Sequence, residues 1–393
     1  AYALGLGLRG RSAIRQVDEK LWQSVKGAGF GSDRFTLHLP FGPIDLRKPT
    51  PGQEPSVLIY QTELCSAMLN ELEARHADSG RLTVEFERRC ADIDPSSGKV
   101  DAESFDLIAG CDGVSSVVRG SIAKECDGFN FEMETLPGFL KVVRLDAMPS
   151  SLSADAVHAV PGVGGLSAFL EPTNNGACAL ISWRSSVDNS EDKVDPASIT
   201  DAEEARLLLA SSLPLIADSL NNTAVGQQFV SQRPSQASTV RCSTYHFGKA
   251  VLLGDAAHST GGASGQGCNS ALQDSIALAD CLEASGGVGN VAAALQSYSQ
   301  QRVPEGHALL DLSTGPSRNS GPLRRLVFGL SAARDTLLSK FGLSDPPLQT
   351  LLTTSTTPFA EIRRARESAF GPFPTDEEFR RTIGESVRYE AKY

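Results

Sequence analysis

The sequence has no uninterrupted apolar run of the roughly 18 residues that a membrane-crossing helix needs. No secretory or transit segment is visible at its start. Positive charge is in short supply. Lys and Arg number 36 against 47 Asp and Glu, a formal charge of −11, which disfavours nucleic acid and anionic membrane surfaces as broad partners. The eight cysteines (Cys65, Cys90, Cys111, Cys126, Cys178, Cys242, Cys268 and Cys281) include no C-x-x-C pair, and no histidine stands at zinc-finger spacing. No metal site is therefore read, and the thiols are taken as reduced and mostly buried, in an intracellular, reducing compartment. The chain opens Ala1-Tyr2-Ala3 without Met. It is read as processed, truncated or incomplete, which leaves an organellar address open. There is no G-x-S-x-G elbow and no H-E-x-x-H helix, so nothing argues for hydrolase chemistry.

What is present describes a globular protein. The 393 residues are 40% hydrophobic and 21% charged. At about 150 residues per domain, two to three domains are expected. Arg9 to about Lys26 has helical spacing through Ile14, Val17, Leu21 and Val25. Arg34–Leu39 alternates like a strand, ended by Pro40 and Gly42. Gln61–His76 reads as a helix with Leu64, Met68, Leu69 and Leu72 on one face. Strands are expected at Leu82–Phe86 and within Val100–Cys111, most clearly Phe105–Ala109.

From about Gly128 to Val240 short apolar runs alternate with Gly, Pro, Asn and Ser turns: Phe139–Leu145, Ala156–Val160, Leu166–Leu170 and Cys178–Trp183. That texture predicts a largely antiparallel sheet, interrupted by one helix near Ala202–Leu213. Ala250–Leu253 then returns as a buried strand, followed by a Gly-rich loop and helices over about Gly267–Glu283 and Val291–Arg302. Leu323, Leu326, Val327, Leu330, Leu337, Leu338 and Phe341 form an apolar stripe. It reads first as a helix packed on the core and second as a helix at a membrane surface, a peripheral contact through 323–341. The C-terminal residues carry mixed charge, as a solvated helix or tail would.

Gly5-Leu6-Gly7-Leu8-Arg9-Gly10 spells G-x-G-x-x-G. A dinucleotide site needs a strand before these glycines and an acidic residue ending the next strand. Only Ala1–Leu4 precede them, and Asp33 comes before the strand it should end. The segment reads better as a turn into the Arg9 helix than as a nicotinamide dehydrogenase fingerprint.

Two other stretches carry more. In Asp106-Leu-Ile-Ala-Gly-Cys-Asp112-Gly113-Val-Ser115-Ser116-Val-Val-Arg119 a buried strand ends in Asp-Gly, and a helix starts near Ser115, a good N-cap residue type. In Val251-Leu-Leu-Gly254-Asp255-Ala256-Ala257-His258, followed by Gly261, Gly262, Gly265-Gln266-Gly267-Cys268-Asn269 and Asp274, a strand leads through an acidic turn and a Gly-rich loop into a long helix. Asp255 suits a ribityl or ribose hydroxyl, and the helix start suits an anionic ring edge. Each segment alone could be an ordinary strand–helix connection.

Together, with a sheet-rich insert between them, the two stretches resemble the flavoprotein aromatic hydroxylases, single-component FAD- and NAD(P)H-dependent monooxygenases. Within them the kynurenine 3-monooxygenase branch is most similar, through Leu8–Ala13, Asp106–Arg119, Arg241–Phe247, Val251–Asn269 and Tyr298–Ser313. The resemblance implies an α/β fold: a Rossmann-like FAD-binding domain with an inserted antiparallel-sheet substrate domain and C-terminal helices. The corresponding division is 1–127 and 246–320 for the FAD domain, 128–245 for the substrate domain and 321–393 for the helical region. In that family NAD(P)H reduces FAD, oxygen adds at flavin C4a, and the product hydroxylates an electron-rich aromatic ring.

By matching position, the resemblance places FAD contacts at Gln61, Cys90, Asp112, Gly113, Gly254, Asp255, Gly265, Gln266, Gly267, Cys268 and Asn269. Asp255 would hold the ribityl chain, and Asp112 and Gly113 would also meet the nicotinamide. Arg34 would pair with a substrate carboxylate. No catalytic residue is assigned, and His258 reads as a packing residue rather than a base. Four departures stand out. The family's first strand, pyrophosphate glycines and ribose-binding acid should precede residue 1. Gly262 replaces a Pro at the flavin face. A substrate Tyr aligns with Gln349, and a pocket Asn falls near Pro316. The strand that should supply another Tyr reads Pro43-Ile-Asp-Leu46. Two expectations follow: an active monooxygenase with a small aromatic substrate, or a non-catalytic descendant serving as a structural or regulatory subunit with protein partners.

Overall fold

A computed structural model describes residues 2–49, 52–184, 195–262, 264–314 and 348–367. In chain order the elements begin with β1 (Ala3–Leu6), α1 (Leu8–Val17), α2 (Glu19–Ala28), β2 (Phe30–Ser32), β3 (Arg34–Leu39), β4 (Gly42–Arg47), β5 (Ser56–Tyr60) and α3 (Gln61–His76). The short β6 (Ile93–Asp94), β7 (Lys99–Val100) and β8 (Glu103–Ser104) precede β9 (Ile108–Gly110), α4 (Val117–Glu125) and β10 (Phe131–Thr135). Next come β11 (Phe139–Leu145), β12 (Ala156–Pro161), β13 (Leu166–Thr173), β14 (Gly176–Trp183), α5 (Ala202–Ser212), α6 (Ala217–Leu220) and α7 (Thr223–Ser231). The chain continues through β15 (Ser238–Cys242), β16 (His246–Phe247), β17 (Ala250–Leu252), α8 (Asp255–His258), α9 (Gly267–Ala284), α10 (Val291–Thr314), α11 (Leu348–Thr354) and α12 (Phe359–Ala365). Among the described residues no helix is long and apolar enough to cross a membrane.

Two compact units result, one of Ala1–Gly7, Val17–Val84 and Thr135–Ala237, the other of Leu8–Gln16, Glu85–Glu134 and Ser238–Tyr393. The first is built on a six-stranded sheet, β11-β14-β13-β12-β3-β4, antiparallel except where β12 runs parallel to β3. Period-two patterning explains it. Leu166, Ala168 and Leu170 of β13 are buried, while Ser167, Phe169 and Glu171 point to the other, half-buried face. The buried face packs Val143, Leu170, Ile181 and Trp183 against Leu209, Val225 and Phe229 of the helices. A three-stranded sheet, β1-β5-β2, covers one end of the opposite face through Ala3 and Tyr60 against Val142 and Cys178.

The second unit carries the parallel pair that a nucleotide fold requires. β17 runs parallel to β9, with Ala250 beside Ile108 and Leu252 beside Gly110, and β16 closes the sheet antiparallel. Ile122, Val251, Leu252, Ala294 and Tyr298 form its core. α12 is held to α10 by Glu305, whose carboxylate accepts the N–H groups of Phe359 (2.7 Å) and Ala360 (3.1 Å). The buried Arg9 guanidinium lies over the Phe359 ring at 4.0 Å.

Several expectations need correction. The helix expected over 9–26 is two, because Asp18 is extended and caps α2 through the N–H of Lys20 (2.6 Å). In α3 Leu64 is buried but Leu72 is 46% exposed, so the apolar face is shorter than its spacing implies. Leu82–Phe86 is irregular rather than a strand; no neighbouring strand pairs with it among the described residues, and Phe86 is 73% exposed. The strand near Phe105 is confined to Ile108–Gly110, where β17 supplies its partner. The region expected to hold one helix also carries a second over Thr223–Ser231, capped by Asn222. α10 runs on through Pro304 to Thr314. The 323–341 stripe, Pro316 and the charged C-terminal tail lie outside the described residues.

At the β13–β14 turn Gly176 has φ +128°, and a Cβ there would come within 2.0 Å of the Leu145 carbonyl oxygen. Gly176→Ala is expected to cost about 3 kcal/mol or more, since backbone strain of about 1–3 kcal/mol adds to a collision with main chain. Urea unfolding of the variant checks this; a midpoint equal to that of the parent would contradict it.

Candidate functional site

The site forms where β9 and β17 end side by side. In open α/β sheets ligands bind outside the carboxyl ends of parallel strands, where loops and helix starts converge. The Leu253 N–H donates to the Gly110 carbonyl at 3.1 Å, so the turns at Asp112 and Asp255 begin from neighbouring positions.

Asp112 Oδ2 accepts the N–H groups of Val117 (2.7 Å) and Val118 (3.2 Å), while Ser116 Oγ accepts that of Arg119 (2.9 Å). Both side chains therefore cap α4. Gly113 is left-handed, with open space where a Cβ would stand. Arg119, buried, ties the two turns together: it donates to the Ala256 carbonyl (2.8 Å) and the Val114 carbonyl (2.5 Å). Its guanidinium also lies 5.0 Å from the Phe131 ring centre.

The second turn is organised by Asp274. Its Oδ2 accepts from the Gly254 N–H (2.9 Å) and from His258 Nε2 (2.6 Å), and its Oδ1 accepts from Arg302 Nε (2.6 Å). Asp274 is fully buried. Burial alone would raise its carboxyl, but His258 and Arg302 beside it hold it below the ordinary carboxylate range. Gly254 is left-handed, and a Cβ there would press on Ala271 at 3.0 Å, so a side chain would displace α9 from the strand end. His258 is buried against Tyr245, ring centres 5.5 Å apart. That is the environment of a packing residue.

Beyond the turn the loop through Gly261, Gly262 and Gly265 leads to α9. Nothing stands within 4 Å of the Cβ position at Gly262 or Gly265. α9 starts without a side-chain cap and without an acidic residue in its first turn, so its positive dipole end is not offset there by an acidic side chain. Asp255 Oδ1 lies 3.8 Å from the Cβ position of Gly267, beside that helix start. Asp255 is exposed, and partial desolvation by its neighbours raises its carboxyl above its usual range. Gln266 is buried, and its Oε1 has no hydrogen-bond partner among the described residues.

Asn269 is fully buried. Its Oδ1 accepts from the Gly10 N–H (3.2 Å) and its Nδ2 donates to the Gly265 carbonyl (3.4 Å), so it fixes both α1 and the loop. Gly10 is needed for that approach, because a Cβ would fall 2.5 Å from Asn269 Oδ1. The G-x-G-x-x-G stretch thus serves packing: Gly5 lies within β1, which pairs antiparallel with β5.

The structure brings Asp112, Gly113, Gly254, Asp255, Gly262 and Gly265–Asn269 together, and Cys268 is half-buried at the helix start. Cys90 lies in the same unit, packed against its core. Gln61 and Arg34 belong to the first unit. Gln61 opens α3, exposed, its N–H bonded to the Tyr2 carbonyl (3.1 Å). Arg34 forms an exposed ion pair with Asp155 (3.2 Å). Gln349 Nε2 reaches the Ser264 carbonyl at 3.5 Å, placing the start of α11 against the loop.

Sequence spacing does not single out Arg119, Asp274 and Arg302 as organisers. Arg119 and Asp274 stand in the motif stretches, but pairings across 137, 16 and 28 residues leave no trace in local spacing. Flavin adenine dinucleotide suits this constellation. A carboxylate for a hydroxyl, an uncapped helix start, a buried acceptor without a partner and open backbone at Gly262 and Gly265 match a flat ring with a polar edge on a polyol chain. Among the described residues no group of three or more His, Cys, Asp or Glu side chains could hold a metal.

Comparisons with known proteins agree. The FAD binding domain family matches residues 33–313. Kynurenine 3-monooxygenase of Salinispora arenicola is 28% identical over 376 residues, 91% of this chain and 79% of that protein. Its Aspergillus candidus counterpart is 26% identical over 91% of this chain and 72% of that protein. Among solved structures, 2-methyl-3-hydroxypyridine-5-carboxylic acid oxygenase shares the fold with a TM-score of 0.64 at 18% identity, covering 90% of this chain and 85% of that one. P. aeruginosa PqsL superposes with a TM-score of 0.60 at 18% identity, covering 80% and 84%.

Asp274→Asn leaves Arg302 buried without its counter-charge. The expected loss is roughly 3–5 kcal/mol of stability. Guanidinium unfolding measures it, and a loss below about 1 kcal/mol would show that the network is dispensable.

Proposed function

Because the chain belongs to the FAD binding domain family, we propose that it is an FAD-dependent monooxygenase that hydroxylates an aromatic small molecule with electrons from NAD(P)H. The observation that carries this reading is the paired end of β9 and β17, where Asp255 stands beside the uncapped start of α9. Relatives named as kynurenine 3-monooxygenases over nine-tenths of the chain support it. The lost Tyr positions at Gln349 and in Pro43–Leu46 favour a substrate other than kynurenine.

When bound, FAD supplies the hydride acceptance and oxygen chemistry that amino-acid side chains lack. The residues of this chain would bind and orient it. Asp255 would accept hydroxyl hydrogens of the ribityl chain. The Gly267 end of α9, through the helix dipole, would stabilise negative charge at the ring edge. Gln266 Oε1, buried without a partner among the described residues, would be available to accept a hydrogen bond from the cofactor. Asp274, Arg302 and Arg119 act one step away, keeping both turns in register.

Purified protein supplied with FAD should consume NADH or NADPH faster when its aromatic substrate is added. A panel of aromatic acids and amines is the screen. No stimulation across the panel, with flavin absent, would favour the non-catalytic reading, in which the fold is a scaffold for protein partners.

Asp255→Ala should weaken FAD about 10–100-fold, the worth of one charge-assisted hydrogen bond of about 1.5–3 kcal/mol. The parent protein should also release FAD on acidification. Asp255 must be ionised to accept, and its carboxyl is raised, so affinity falls as pH drops through a range above that of an ordinary carboxylate. Fluorescence titration of FAD against pH reads both effects; a flat profile down to pH of about 4 would contradict the assignment.

A further inference from the structure

Two histidines meet inside the six-stranded sheet of the first unit. His158 stands on β12, on the same face as the core residue Val160, and His38 stands near the end of the parallel neighbour β3. His38 Nε2 and His158 Nδ1 are 3.0 Å apart, with 5.2 Å between ring centres. His158 is 1% exposed, and its Nε2 lies 2.8 Å from the Ser153 carbonyl. That carbonyl can only accept, so His158 Nε2 carries the hydrogen and neutral His158 is bare at Nδ1. His38 Nε2–H donates to that bare nitrogen. The chain of hydrogen bonds is therefore complete only while His158 lacks a second proton. We propose that the pair is an acid-sensitive latch: it holds the β3–β4 ribbon on the sheet while His158 is neutral, and releases the ribbon when both rings are protonated.

The topology makes the ribbon the part that yields. β4 pairs with β3, and β3 reaches the rest of the sheet through β12, which β13 holds on its other side. One proton on His38 Nδ1 leaves the bond between the rings intact. A second must go to His158 Nδ1, where it sets N–H against N–H and two positive charges side by side. Burial, and then His158 itself, hold His38 below the ordinary histidine range. Neighbouring charges do not relieve the conflict. Arg34 of β3 pairs with Asp155 (3.2 Å), which also accepts from Ser153 Oγ (2.5 Å). Asp155 acts on His158 as well, but its charge is already matched by Arg34. On β4 Asp45 accepts from Thr36 Oγ1 (3.0 Å) and pairs with Lys48 (3.4 Å), while Arg47 pairs with Asp33. Asp155 and Asp45 are held below the ordinary carboxylate range, chiefly by those two hydroxyls, so neither changes charge where a histidine titrates. β13 brings Leu166, Ala168 and Leu170 to this face, and α5 brings Ala205 and Leu209. Each step adds a proton from solvent to a ring nitrogen, and no bond between heavier atoms changes.

The sign follows from the proton count. A released ribbon frees two ordinary imidazoles, which bind protons below a pH of about 6.5, whereas the closed latch takes one at most. Opening is thus favoured about tenfold or more for each pH unit below that value and is unaffected well above it. Hydrogen–deuterium exchange of the full chain, at about pH 7.5 and about pH 5.5 and corrected for intrinsic exchange, measures the opening. Peptides covering β3 and β4 should lose protection about tenfold or more at the lower pH, while β13 and β14 keep theirs. His38→Gln should flatten the response, because the amide can donate to a neutral His158 or turn its oxygen to a protonated one. His158→Gln, which removes the second protonation, should do the same. Protection of β3 and β4 that ignores pH, an equal loss in β13 and β14, or an unchanged response in a variant that folds would overturn the proposal. Should neither variant fold, the place of the loss in the parent decides. The latch stands apart from the cofactor reading: bound flavin with a pH-independent ribbon removes the latch alone, and an acid-released ribbon without flavin removes the enzyme reading alone.

Discussion

The architecture of the cofactor-facing unit depends on one buried charge. Asp274, on the inward face of α9, reaches the end of β17 at Gly254, the ring of His258 in α8 and the guanidinium of Arg302 in α10. Four elements thereby meet at a single carboxylate. Such a group is costly to bury, and it is tolerated because both oxygens are satisfied and opposite charge adjoins it. Its consequence is geometric. With Gly254 anchored and lacking a Cβ, α9 can approach the strand end, and its start comes to stand beside Asp255.

The first turn obeys the same logic with different residues. Asp112 and Ser116 cap α4, and Arg119 returns from that helix to the Ala256 carbonyl. The two strand-end turns are therefore cross-braced by a buried arginine, which leaves few ways for them to move independently. Function and stability share residues here: Asp112 is spent on a helix cap, whereas Asp255 is left open beside the helix start.

Much of this was legible beforehand. β3, α3 and β11 have the bounds that alternation and helical spacing predict, and the stretches at Asp112 and Asp255 do end side by side at the paired strands β9 and β17. What escaped has physical causes. Phe105–Leu107 looks like strand, but the Phe105 N–H turns to the Gly98 carbonyl and pairing with β17 begins only at Ile108, beside Ala250. The break at Asp18 is a capping event inside an otherwise continuous helical pattern. Pro304 reads as a stop, yet α10 is held beyond it by packing of Leu309 and Leu312 against Phe359. The role of Gly10 required knowing that Asn269, distant in sequence, would lie against it.

An FAD site built from Asp255, Gln266 and the start of α9 is the central claim. It is tested most directly by the absorbance spectrum of the purified protein from about 300 to 600 nm, before and after denaturation and with added FAD. Bands near about 375 and about 450 nm, shifted in the folded protein and relaxing to those of free flavin on unfolding, are the predicted result. A spectrum that shows no bound flavin even after FAD is supplied and the excess removed would contradict it.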